Sequence, residues 1–229
     1  MKPNLTRLKK TKKYLGVGIN DLYYEVIKHE RTPTGKYVCV WTDPCYPVWG
    51  GILERIYNKN PKRHRVYIGC SLFNEWHWLS KFRSWFYDNW VEGWHLDKDI
   101  LIKGNKEYCP NNCRFIPKYL NNLFTDCSAN RGKWPIGVHK DSKPVVKRAK
   151  RFVARCNDAV LGRLCLGVFH TPEEAHKAWQ KEKINQINKA IDRFRNEPVG
   201  YRKDVEDALL SRIKDIQNDI DNNQETIKL

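Results

Sequence analysis

Residues 135–142 read PIGVHKDS, 150–158 read KRFVARCND, and 162–183 read GRLCLGVFHTPEEAHKAWQKEK. Their patterning predicts three short strands and an amphipathic helix. The first strand opens after Pro135 with Gly137-Val138. In the second, Phe152, Ala154 and Cys156 alternate with Val153 and Arg155, the period of two of a half-buried strand. The third runs from Leu164 to Phe169 and stops at Thr171. There Thr171-Pro172-Glu173-Glu174 supplies an N-cap, a proline at the first helical position and two acids in the first turn. Arg151, Arg155 and Arg163 recur along strands whose other positions are apolar. One sheet face is therefore expected to carry cations, while the other packs on Ala175, Ala178 and Trp179.

This pattern of Gly-Val, an aromatic-Ala strand, Leu-Gly-Val-Phe-His-Thr-Pro-Glu-Glu-Ala and a closing helix resembles the APETALA/ethylene-response-factor DNA-binding domain. The likeness covers about a fifth of the chain. It implies a three-stranded sheet laid into the major groove of double-stranded DNA. His139 and Lys140 on the first strand, with Arg151, Arg155 and Arg163, are then the expected base or phosphate contacts. Arg131 and Lys133 precede the sheet as further DNA contacts, and Trp134 is expected to cap the core. Arginine suits bidentate bonds to guanine, each worth about 1–3 kcal/mol against the wrong base. Roughly half of such cations are expected to meet phosphate instead.

Composition agrees with a polyanionic partner. The chain of 229 residues holds 42 Lys+Arg against 26 Asp+Glu, a net charge of +16, and its pI is about 9.5. With no apolar run for a membrane segment, a polyanion is the default partner of so basic a chain. The start, MKPNLTRLKKTKKYLG, lacks the apolar core of a secretory signal and reads as a phosphate-binding arm. The eight cysteines are expected to be reduced thiols. Cys109 and Cys113 have a spacing that suits zinc, but no second close pair follows, so zinc is not expected.

Working outward, residues 1–40 read as the basic arm and a hairpin, with YYEVIKHE and KYVCVWTD flanking the turn RTPTG. Residues 41–125 read as one domain and 126–134 as a polar linker. The sheet domain occupies 135–195, and a C-terminal helix occupies 196–229. Helical periods appear from Pro47 and again over 74–88, where Trp76, Leu79, Phe82, Trp85 and Phe86 read as core. A last amphipathic helix is expected over 205–220, able to pack on the body or on a second copy in a homodimer.

The block WHLDKDILIKGNKEYCPNNCRFIPKYLNNLF, residues 94–124, is a strand–turn–strand–helix with acids on its first strand. It resembles the HNH endonucleases in order, and the joining of such a block to the sheet domain looks like the phage homing endonucleases. Asp97-Lys98 stands where that family has an acid or His followed by its general-base His. Asn111-Asn112, Cys113 and Asn121-Asn122 stand at the later positions, and the base His itself is missing. The resemblance implies an α+β chain in which an HNH-like ββα-metal core is followed by the sheet domain and C-terminal helices. The activity implied is site-specific, metal-dependent cleavage of double-stranded DNA in the cytoplasm of an infected bacterial host.

In this reading Asp97, Asp99 and Asn121 hold Mg²⁺ (or Mn²⁺), a hard cation that prefers oxygen ligands. His95, two residues before Asp97 on the same strand face, is the candidate base, and Lys106 stabilises phosphate charge. A restriction-enzyme-like core is the alternative, with Glu54, Asp97, Asp99 and Lys106 or His95. The plainer alternative for Asp97-Lys98-Asp99 is a solvated edge strand with a salt bridge. A non-enzymatic DNA-binding protein on a degenerate nuclease scaffold is the competing function, favoured by the missing His.

Overall fold

A computed structural model of the chain describes residues 13–22, 26–58, 65–124, 132–140, 152–158 and 162–229. The fold is α+β: five α-helices and four small sheets among the described residues. The arm over 1–12, Arg131 and Arg151 lie outside them. The chain divides into two compact units, Met1–Trp90 with Gly104–Arg114, and Val91–Lys103 with Phe115–Leu229. This division cuts through the block 94–124 that the sequence reads as one piece.

The first unit holds a ribbon of β1 (Ile27–Arg31) and β2 (Tyr37–Thr42), then α1 (Cys45–Tyr57) and α2 (Leu79–Asn89). A parallel pair joins β3 (Ser71–Leu72) to β5 (Glu107–Tyr108). Of the residues read as core over 74–88, Trp76, Leu79, Phe82 and Phe86 are buried, while Trp85 is half-buried. Trp49, Trp76, Phe82 and Phe86 are buried, and the Trp49 indole N–H donates to the Trp76 carbonyl at 2.7 Å. The Trp76 ring lies edge-on to Phe82 at 5.1 Å. Burying rings while satisfying the indole N–H is what makes such a cluster stable.

The second unit is built on two long helices, α4 (Pro172–Arg195) and α5 (Lys203–Asp221). Thr171 caps α4 in a reciprocal box with Glu174, as the motif predicts. Between the helices, Arg195 grips Glu206 with two bonds of 3.1 and 2.7 Å, and Tyr201 adds a third at 2.8 Å. Beneath them pack Ile116, Leu120 and Leu123, the last two from α3 (Lys118–Leu123), together with Ile100. Ile187, Ile191, Phe194, Val205 and Leu209 close this core.

The antiparallel sheet of the second unit has the order β7 (Val138–Lys140), β8 (Phe152–Asp158), β9 (Gly162–Phe169). Val138, Phe152 and Ala154 pack on Ala175 and Ala178 of α4, and Cys156 packs with Ile136 and Trp179. Trp134 meets Phe152 edge-on at 4.9 Å, the capping role expected of it. Gly137 has φ +81°, and a Cβ there would lie 2.1 Å from the Trp179 ring, so both backbone and packing require glycine.

Candidate functional site

Strand register sorts the sheet residues by face, because directly paired residues project to the same side. Ala154 pairs with Val138 on the helix side. The opposite face therefore carries His139 paired with Val153, Arg155 paired with Cys165, and Asn157 paired with Arg163. Arg155 and Arg163 are exposed. The two guanidiniums also act on His139, whose pKa is lowered first by burial and then by Arg155 and Arg163. One face thus combines two cations with an imidazole whose protonated form burial and those cations disfavour. A shift of register between Ala154 and Arg155 places Arg155 opposite Cys165. Lys140 pairs with Phe152 and so falls on the helix side of the sheet, though exposed at the strand end. Lys133 is exposed and sits over the Trp134 ring at 5.1 Å.

The acid block is arranged differently from a strand carrying two acids on one side. β4 spans only His95–Asp97 and pairs with β6 (Arg114–Ile116). It stops because Asp97 Oδ1 accepts the backbone N–H of Asp99 at 2.7 Å and of Ile100 at 2.6 Å. An Asp side chain that captures the next N–H groups closes a turn instead of extending a strand. Asp99, expected on the first strand with Asp97, therefore lies in the turn that follows β4.

Lys98 turns inward and is buried, and its Nζ meets both oxygens of Asp99 at 2.7 and 2.6 Å. From α5, Arg212 is likewise buried and donates to the Asp99 carbonyl at 2.7 Å. Burial raises the Asp97 pKa, and the neighbouring Asp99 charge adds to that. The two backbone N–H groups and Lys98 act in the other direction. Three of the four carboxylate oxygens of the Asp pair are thus already engaged.

His95 stands with Asn121, whose Nδ2 lies 3.4 Å from His95 Nδ1. The structure brings together His95 with Asn121, and Asp97 with Asp99, all within the second unit. Glu54 and Lys106 belong to the first. Glu54 accepts from Asn58 at 2.6 Å and from Tyr14 at 3.4 Å, and Lys106 donates to the Val66 carbonyl at 3.1 Å. Cys109 and Cys113 are both buried. Among the described residues no three His, Cys, Asp or Glu side chains are grouped to hold a metal ion. No described helix is long and apolar enough to cross a membrane.

Sequence reasoning missed the buried cations Lys98, Lys183 and Arg212. A signal for the last was present: Val205, Leu209, Arg212 and Ile216 share one helical stripe, so the arginine stands among core positions. It stacks on Phe124 at 5.0 Å. No family model, no curated protein and no solved structure matches this chain.

Proposed function

We propose that the chain binds double-stranded DNA, with the outer face of β7–β9 as the reading surface. The observation that carries this is the clustering of Arg155, Arg163 and His139 on one face of a sheet whose other face is packed on α4. With its inner side packed on α4, the sheet has its outer side left for a ligand, where the cations stand beside Val153 and Val168. Arginines on that side match both phosphate oxygens and the guanine edge. The net charge of +16 supplies the long-range attraction. The reading also agrees with the APETALA-like pattern of residues 135–179.

Fluorescence anisotropy with duplex DNA at two salt concentrations tests this. Arg155→Ala with Arg163→Ala should weaken binding at least tenfold and reduce the salt slope by about 2. Unchanged affinity and slope in a folded variant would overturn it.

Metal-dependent cleavage is the second reading. The observation favouring it is the His95–Asn121 contact, between β4, which pairs with β6, and α3, which follows β6. Discrete DNA fragments formed with Mg²⁺, and lost with EDTA and in Asp99→Ala, would establish it. Binding without cleavage in Mg²⁺ and Mn²⁺ would leave the chain a DNA-binding protein on a nuclease-like scaffold.

A further inference from the structure

The ribbon of β1 and β2 forms a sheet of its own, and residues 28–31 and 37–41 are exposed. An isolated two-stranded ribbon is marginal in water, and this one carries large apolar groups outward, with Tyr37 61% and Val40 47% exposed. Its two faces follow from the register. Arg31 pairs with Tyr37 on one face, the guanidinium 4.9 Å from the ring centre. Lys28 pairs with Trp41 on the other, its ammonium 5.3 Å from the indole. Each face thus presents a cation laid over an aromatic ring, where the ring's quadrupole attracts it.

Both ends of the ribbon are fixed. At the tip, Thr32 N–H donates to Lys36 O at 2.9 Å, and Gly35 takes φ +80°. At the base, Asp43 N–H donates to Val26 O at 2.9 Å. The buried Asp43 carboxylate accepts from Tyr87 at 2.8 Å, Arg83 at 3.1 Å and Cys45 N–H at 3.0 Å. The ribbon is therefore a preformed projection, held at its root by a carboxylate that accepts from both neighbouring helices.

We propose that this ribbon is a second DNA-contacting element, entering a groove of the duplex so that its two faces meet the two phosphate walls. The proposal rests on the DNA-binding reading above and names a separate site for it. Charge complementarity selects the partner: Lys28, Arg31 and Lys36 stand against the single acid Glu30. A surface meant for another apolar face would have no use for a cation on each side. Dimensions agree. A sheet with its side chains is about 10 Å thick, and the major groove, about 12 Å wide, admits a two-stranded ribbon. Five residues of β1 at about 3.3 Å each extend along roughly five base pairs.

The test uses the full chain on duplex DNA, with hydroxyl-radical footprinting and anisotropy. The ribbon variant is Lys28→Ala with Arg31→Ala, and a second variant is Trp41→Ala. Circular dichroism and melting of each establish folding. The expected result is a tenfold or greater loss of affinity in the first variant. About five base pairs of protection should also disappear, while protection by the β7–β9 face persists. Arg155→Ala with Arg163→Ala should remove the complementary part of the footprint. If the ribbon variants bind and protect like the wild type while the sheet variant fails, the ribbon proposal is wrong and the DNA reading stands. If the wild type binds no duplex, both fall. In that case a Trp41→Ala change in oligomeric state would reassign the ribbon to protein contact.

Discussion

Asp97 Oδ1 accepts the N–H of Ile100 at 2.6 Å, and through that bond a carboxylate sets the course of the chain into the core of the second unit. Ile100 is 3% exposed, so the N–H has no water to fall back on. Asp97→Ala leaves this N–H and that of Asp99 without their acceptor and should cost about 2–4 kcal/mol in urea unfolding. Asp97→Asn keeps an acceptor oxygen and should cost about half as much. Equal losses for the two would show that the charge beside Arg212, and not the turn, is what Asp97 supplies.

Gly137→Ala should be among the most damaging small substitutions. The methyl would meet Trp179, which is itself pinned by a stacked His176 ring at 5.3 Å. His176 in turn accepts the Thr226 N–H at 3.0 Å, so the indole has little room to retreat. A positive φ adds to the overlap. A loss on the order of 3 kcal/mol is expected, read as a lower melting temperature.

Lys183 gives an alkaline signature. It is buried, donates to the Leu123 carbonyl, and lies within 5.6 and 5.9 Å of the Phe124 and Trp179 rings. Burial lowers its pKa from 10.5 to about 8. Below about 8 the ammonium is charged in the folded and unfolded chain alike, and its full desolvation cost is present. Between about 8 and 10.5 the unfolded chain retains a proton that the folded chain has released, so this group's contribution to stability rises with pH by roughly 3 kcal/mol. Denaturant titrations from pH 8 to 10.5 should show the wild type gaining on Lys183→Met by that amount. A constant difference would mean that the lysine titrates normally.

Glu206 gives the acid counterpart. Bonds from Arg195 and Tyr201 hold its carboxyl down to about 2, against an ordinary 4.5. Its stabilising contribution is fully present above pH 4.5 and lost as the pH falls towards 2. Glu206→Gln should be less stable at neutral pH and show a flatter acid limb over that window.

The sheet was legible because its signals are local. Phe152, Ala154 and Cys156 alternate with Arg155, and Thr171-Pro172 with two acids marks a helix start, so local patterning finds strand and helix, although Lys140 falls on the helix side. The Asp97 turn was not legible in the same way. Nothing in His-Leu-Asp-Lys-Asp distinguishes two acids on one strand face from one acid folding back onto the backbone. The choice belongs to partners far away, above all Arg212, which reaches Asp99 from 113 residues along the chain. Lys98 defeats sequence reading for the same reason: a lysine between two acids looks solvated, yet here it is buried.

The alternation of segments between the two units has a consequence for biosynthesis. The chain passes from one unit to the other after residues 90, 103 and 114, so neither unit is a continuous piece. A ribosome delivers Val91–Lys103 long before α5 brings Val205, Leu209 and Arg212 to cover Ile100. At about 5–20 residues per second that delay is on the order of 10 s. Throughout it, Ile100, Ile116, Leu120 and Leu123 stay incompletely covered on a nascent chain: α4 brings Ile187, Ile191 and Phe194 first, and only the arrival of the last helix completes the cover.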